Sequence, residues 1–86
     1  MKLMEFYGET CPHCIEMKPL VERLEKEENV KIEKYEVWNN KENAELLKKY
    51  DTGLCGGVPF FFNGEAKKNI CGSTDYESLK KWALGE

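Results

Sequence analysis

The stretch Met4-Glu5-Phe6-Tyr7-Gly8-Glu9-Thr10-Cys11-Pro12-His13-Cys14-Ile15-Glu16-Met17-Lys18-Pro19-Leu20 decides the fold, because it runs from an apolar strand through two closely spaced cysteines into an amphipathic helix. Residues 2–7 are apolar on both faces except at Glu5, the pattern of a central strand covered from both sides. From 11 to 28 the period changes. Cys14, Met17, Leu20, Val21 and Leu24 then share one side, with Glu16, Lys18, Glu22, Arg23 and Lys26 on the other. Working outward, residues 30–38 predict a second strand whose alternation slips phase between Ile32 and Tyr35, so a bulge or a late start near Lys34 is expected. Residues 41–50 predict a helix with Ala44, Leu47 and Tyr50 on one face. Residues 58–62 and 66–70 flank Asn63-Gly64, which predicts a hairpin with a two-residue turn. Thr74 with Glu77 predicts a capping box opening a last helix that carries Tyr76, Leu79 and Ala83. The order β-α-β-α-β-β-α implies an α/β fold, a four-stranded mixed sheet with helices on both faces, in one domain spanning 1–86.

Charge narrows the partners. Acidic residues (16) outnumber basic ones (13), and lysines alternate with glutamates, so no basic stripe offers itself to nucleic acid. The opening Met1-Lys2-Leu3-Met4-Glu5 breaks its apolar run at once, so neither a signal peptide nor a membrane span is expected. A soluble monomer with a cytoplasmic address is the expectation. Four cysteines at such an address predict catalysis or metal binding more than a disulfide framework, unless the host is a hyperthermophile.

Cys11 stands where the helix begins, so unbonded amides and the positive end of the helix dipole favour its thiolate and make it the candidate nucleophile. Pro12 fits the first helical position, which has no N–H to bond. Cys14, one turn on, can resolve a mixed disulfide formed at Cys11. His13, when protonated, adds positive charge beside that thiolate and favours the reduced pair. The same Cys-x-x-Cys spacing also suits a metal. With Cys55 and Cys71 it could supply four thiolates to zinc or an iron–sulfur cluster, and a metal-binding module is therefore the alternative function. On the redox reading no metal and no cofactor is required.

The segment quoted above resembles the active-site segment of the thioredoxin superfamily, and its Cys-Pro-His-Cys is similar to that of the periplasmic oxidases called DsbA. The resemblance implies a buried acid at Glu5 that assists proton transfer to Cys14. It also implies a helix proline at Pro19, and a cis-proline segment at Val58-Pro59 whose backbone pairs with substrate. Lys34 falls where thioredoxins carry a partner for the buried acid. In size the chain is most similar to small archaeal glutaredoxin-like thioredoxins. Glutathione recognition is less well matched: Gly8-Glu9-Thr10 precedes the motif, Gly57 replaces a threonine, Cys71-Gly72 replaces a glycine pair, and only Asp75 agrees. Glu9 would repel the carboxylates of glutathione. The resemblance thus implies a protein-disulfide reductase acting on disulfide-containing proteins or small disulfides, with a donor such as a thioredoxin reductase.

Cys55 and Cys71 lie outside that pattern. If Asn63-Gly64 is a two-residue turn, Phe62 pairs with Glu65 and Cys55 falls opposite Gly72, one residue from Cys71. A second disulfide, separate from the catalytic pair, is the expectation, with two free half-buried thiols as its rival.

Overall fold

The computed structural model describes residues 3–51 and 55–86. Within them the chain forms β1 (Leu3–Tyr7), α1 (Pro12–Glu27), β2 (Ile32–Glu36), α2 (Lys41–Tyr50), β3 (Phe60–Asn63), β4 (Lys68–Cys71) and α3 (Tyr76–Leu84). The expected start of the first strand at Lys2 lies outside the described residues. The sheet order is β2-β1-β3-β4, with β1 parallel to β2 and antiparallel to β3, and β3 antiparallel to β4. This is the expected mixed sheet.

Side-chain alternation along β1 divides the interior in two. Leu3 joins Met17, Val21 and Leu24 of α1, Phe61, and Leu79, Trp82 and Ala83 of α3 on one face. Met4 and Phe6 join Phe60 on the other, where Ala44, Leu47 and Tyr50 of α2 cover them. The three consecutive phenylalanines serve both layers: Phe61 meets Trp82 edge-on at 5.4 Å, while Phe62 packs against Tyr50 at 4.9 Å. Burying each such ring contributes roughly 2–3 kcal/mol.

Three local expectations are corrected. The hairpin does not turn at Asn63-Gly64: Asn63 pairs with Lys68 and Phe62 with Asn69, leaving residues 64–67 to make the turn. A two-residue type I′ turn needs positive φ at both central positions, and here Lys67 has φ 55 while neither Asn63 nor Gly64 is positive. Asn63 is held inside the strand instead. Its Nδ2 donates to the Trp82 carbonyl at 2.8 Å, and its Oδ1 accepts from the amides of Glu65 and Ala66 at 3.0 Å. With the Ala83 carbonyl at 3.4 Å as a fourth partner, this interior amide defeats the local turn preference.

The last helix is capped by Asp75, one residue later than expected, with its carboxylate accepting from Ser78 N at 2.8 Å. Thr74 is occupied elsewhere, its amide directed at Met17 Sδ, 3.4 Å away. The second strand is shorter than residues 30–38, and its ladder with β1 runs unbroken from Leu3↔Ile32 to Tyr7↔Glu36, so neither a bulge nor a late start near Lys34 occurs: the phase slips because Ile32 packs into one apolar layer and Tyr35 into the other. Glu36 ends it by accepting from the amides of Trp38 and Asn39 at 3.1 and 2.8 Å.

Candidate active site

The two cysteines of the opening stretch are both thiols, and the start of α1 holds them. Cys11 is the residue before the helix, in extended conformation, and its Sγ accepts from the Cys14 amide at 3.2 Å. A sulfur in this place receives both a direct N–H and the positive end of the helix dipole. Cys14 is drawn the other way, with Gly8 N donating to its Sγ at 3.5 Å. Gly8 also receives the Cys11 amide at 3.1 Å, so one buried glycine backbone is bonded at both cysteines.

The two are alike in exposure, 4% for Cys11 and 5% for Cys14. The physical reason is the segment before β3, which closes over Cys11: its thiol lies 3.8 Å from the Val58 carbonyl oxygen, and the Val58–Pro59 bond is cis. Burial above all pushes the Cys14 thiol up to about 12, and its hydrogen bond to Cys11 pushes the same way.

Glu5 is 5% exposed, in the middle of β1 and flanked by Met4 and Phe6 on the opposite face. Burial raises its carboxyl to about 7, against the nearby Lys34 ammonium, which lowers it. Lys34 faces Glu5 across the ladder, yet its Nζ bonds the Glu25 carboxylate at 3.0–3.1 Å. A cleft of about 520 Å³ connects the groups: Glu5, Cys14, Lys18 and Lys34 all line it. Cys14 also feels the Glu5 charge, the smallest of the influences that raise it.

The remaining sequence candidates fall around this centre in different ways. Pro12 opens α1 and Pro19 lies inside it on the exposed side. His13 is exposed on the first turn, its Nδ1 3.9 Å from Glu16 Oε2. Cys55 and Cys71 are joined by a disulfide with Cα atoms 5.4 Å apart. The register that suggested this pairing is two residues per strand out of step with the observed one, since Cys71 pairs with Phe60; the chain bends at Pro59 and brings Cys55 back to it. That bridge consumes two of the four thiols on which the metal-binding alternative depends. Among the described residues, no three His, Cys, Asp or Glu side chains gather as a metal site.

Three contributors escaped the sequence reading. Trp38, 54% exposed, lays its indole against Gly8, where an added Cβ would stand 2.3 Å from the ring. Glu36 staples that corner, accepting from Glu9 N at 2.9 Å as well as from Trp38 and Asn39. Asp51 accepts from the amides of Cys55 and Gly56, each at 2.7 Å. Asp51 and Trp38 act across loops, where periodicity carries no signal; the Glu36 staple, two and three residues ahead of its donors, was a local turn motif open to recognition.

Comparison with known proteins agrees with this geometry. The thioredoxin family matches residues 1–84. A thioredoxin of Rickettsia bellii (strain RML369-C) is 31% identical over 80 residues, covering 93% of this chain and 75% of its own. Among solved structures, a glutaredoxin from Archaeoglobus fulgidus superposes with a TM-score of 0.70 at 23% identity, over 94% of this chain and 84% of its own. A thioredoxin-like protein from Clostridium perfringens gives 0.75 at 22% identity, over 96% and 68%. These two likenesses establish the fold.

Proposed function

The chain belongs to the thioredoxin family, and from that premise we propose that it reduces disulfides of proteins or small molecules through Cys11 and Cys14. A thiol redox role is the coarse statement the family carries; the direction, the substrates and the residue roles are our reading. The observation that carries it is the Cys11 sulfur, held by the Cys14 amide at 3.2 Å and next to the Val58 carbonyl at 3.8 Å.

The Cys11 thiolate attacks one sulfur of the substrate disulfide, forming a mixed disulfide and releasing the other sulfur as a thiolate. Cys14 then loses its proton and attacks Cys11, which expels the second substrate thiolate and leaves Cys11–Cys14 oxidised. A thiol at about 12 cannot ionise unaided near neutrality, and a carboxyl at about 7 sharing its cleft is suited to take the proton at that moment. Glu5 is thus assigned as the base of the resolving step. Val58 and Pro59 offer backbone to the substrate, Pro12 starts the helix that activates Cys11, and His13 tunes the pair through its charge. An external dithiol or flavoprotein reductase of the thioredoxin reductase class returns the electrons, and the cytoplasm is the compartment that suits net reduction.

The test is insulin reduction with dithiothreitol as donor. Activity is expected in the unaltered chain, loss of at least about a hundredfold in Cys11→Ser, and a trapped mixed disulfide in Cys14→Ser. Full activity in Cys11→Ser overturns the assignment.

A further inference from the structure

Cys55 and Cys71 take no part in the electron path above, and their place in the fold gives them another task. Cys71 pairs with Phe60 in the β3–β4 ladder, and Gly72 N donates to the Pro59 carbonyl at 2.8 Å. Cys55 is bonded through sulfur to that same Cys71. Residues 55–60 therefore form a small ring, closed by the disulfide on one side and the strand pair on the other.

Inside the ring the chain carries two glycines. Gly56, at φ +78, and Gly57 are both exposed, and no atom lies within 4 Å of where either would carry a Cβ. Glycine has the largest conformational freedom of any residue, and it is also the residue that lets another backbone approach closely. The next residue is Val58, whose carbonyl stands 3.8 Å from the Cys11 sulfur. The ring thus borders the reacting atom, and its far end is fixed twice over, by the disulfide and by the Asp51 carboxylate on the amides of Cys55 and Gly56.

We propose that the Cys55–Cys71 disulfide is a positioning device that holds Gly56–Gly57–Val58 as a preformed backbone edge for an extended, disulfide-bearing peptide. Peptides recognised by backbone pairing draw affinity from main-chain hydrogen bonds, which need the receiving edge in one conformation. Fixing the edge in advance removes the ordering cost from each binding event. The inference rests on the redox reading of Cys11, and it separates substrate classes. A peptide lies along the edge, whereas a small disulfide needs only the sulfur.

The measurement is single-turnover reduction of two substrates, insulin and hydroxyethyl disulfide, by protein with Cys11 and Cys14 as thiols and Cys55–Cys71 bridged. It is repeated with the double variant Cys55→Ser/Cys71→Ser, at a temperature where circular dichroism shows it folded. The half-saturating concentration for insulin, relative to that for hydroxyethyl disulfide, should rise about tenfold, as for an edge in its binding arrangement a tenth of the time. Asp51→Asn, which keeps the disulfide, should move the same ratio in the same direction by a smaller factor. It also stands in if the double variant does not fold. An unchanged ratio in the folded double variant, or in Asp51→Asn where only that variant folds, overturns the proposal and leaves the disulfide a stabilising staple. Unaltered protein inert towards both substrates overturns the redox reading, and this inference with it.

Discussion

Glu5 is the residue whose ionisation the fold resists. Its carboxyl titrates at an ordinary 4.5 in an unfolded chain and at about 7 when buried beneath α1. Between those values the folded state binds the extra proton, so this group removes stability as pH rises through the window. Glu5→Gln abolishes the loss: relative to the unaltered protein it should gain about 3 kcal/mol at pH 8 and almost nothing at pH 4. Urea midpoints of both proteins at the two pH values check this, and an equal gain at both would mean that Glu5 is not protonated by burial. His13 works on a smaller scale. It is exposed, with Glu16 within 3.9 Å, so solvent and a neighbouring carboxylate both weaken its field. His13→Tyr should make the cysteine pair more reducing by less than about 30 mV, the tenfold mark of a two-electron couple, and the difference should shrink in 1 M salt. Equilibration with glutathione redox buffers measures it. The positions of both residues, like those of the cysteines, were legible in the sequence because each lies within a strand or a helical turn of Cys11. Asp51 and Trp38 were not, since nothing in a one-dimensional pattern shows that a helix end will reach a glycine loop or that an indole will lie on Gly8.

The elements are set by periodicity in their interiors and by single side chains at their ends. Cys14, Met17, Val21 and Leu24 bury one stripe of α1, a stripe that spacing alone predicts. The ends depend on which of several polar side chains reaches an open amide first. At α3 the sequence predicts Thr74 reaching to Glu77, and the structure has Asp75 reaching to Ser78 instead. Asp75 prevails because its carboxylate is charged and sits at the positive end of the helix, while Glu77 is left in the first turn. Asp75→Ala should then cost about 1 kcal/mol and Thr74→Ala clearly less. Thermal melts of the two variants decide between them, and the reverse order restores the capping box. The hairpin turn was misread for a related reason. Asn-Gly is a strong local signal, but Asn63 gains more from the carbonyls at the end of α3 than from a tight turn. Such a contest between a local and a distant partner is invisible until the distant partner is in place.

At the scale of the whole molecule, 86 residues must support two apolar layers around one sheet, and a chain of this size buries a smaller share of its surface than a larger domain does. Few helix residues help on the α2 side, where none of its side chains is fully buried. A covalent link is effective in such a frame because it acts on the unfolded chain, independently of packing. Cys55–Cys71 spans a separation of 16 residues, which the chain-entropy argument equates with roughly 3 kcal/mol. For a chain of this length each kcal/mol moves the melting temperature by about 4–8 °C, so Cys55→Ser/Cys71→Ser should melt at least about 12 °C lower. The origin of the loss can be read separately from its size. If the bridge stabilises by confining the unfolded ensemble, its removal lets that ensemble expose more surface, and the dependence of stability on denaturant should steepen. A lower midpoint with a steeper slope is the expected pair of results in urea. A lower midpoint with the slope unchanged would locate the loss in the folded state, at the ring beside Cys11, and the unfolded-chain account would fall.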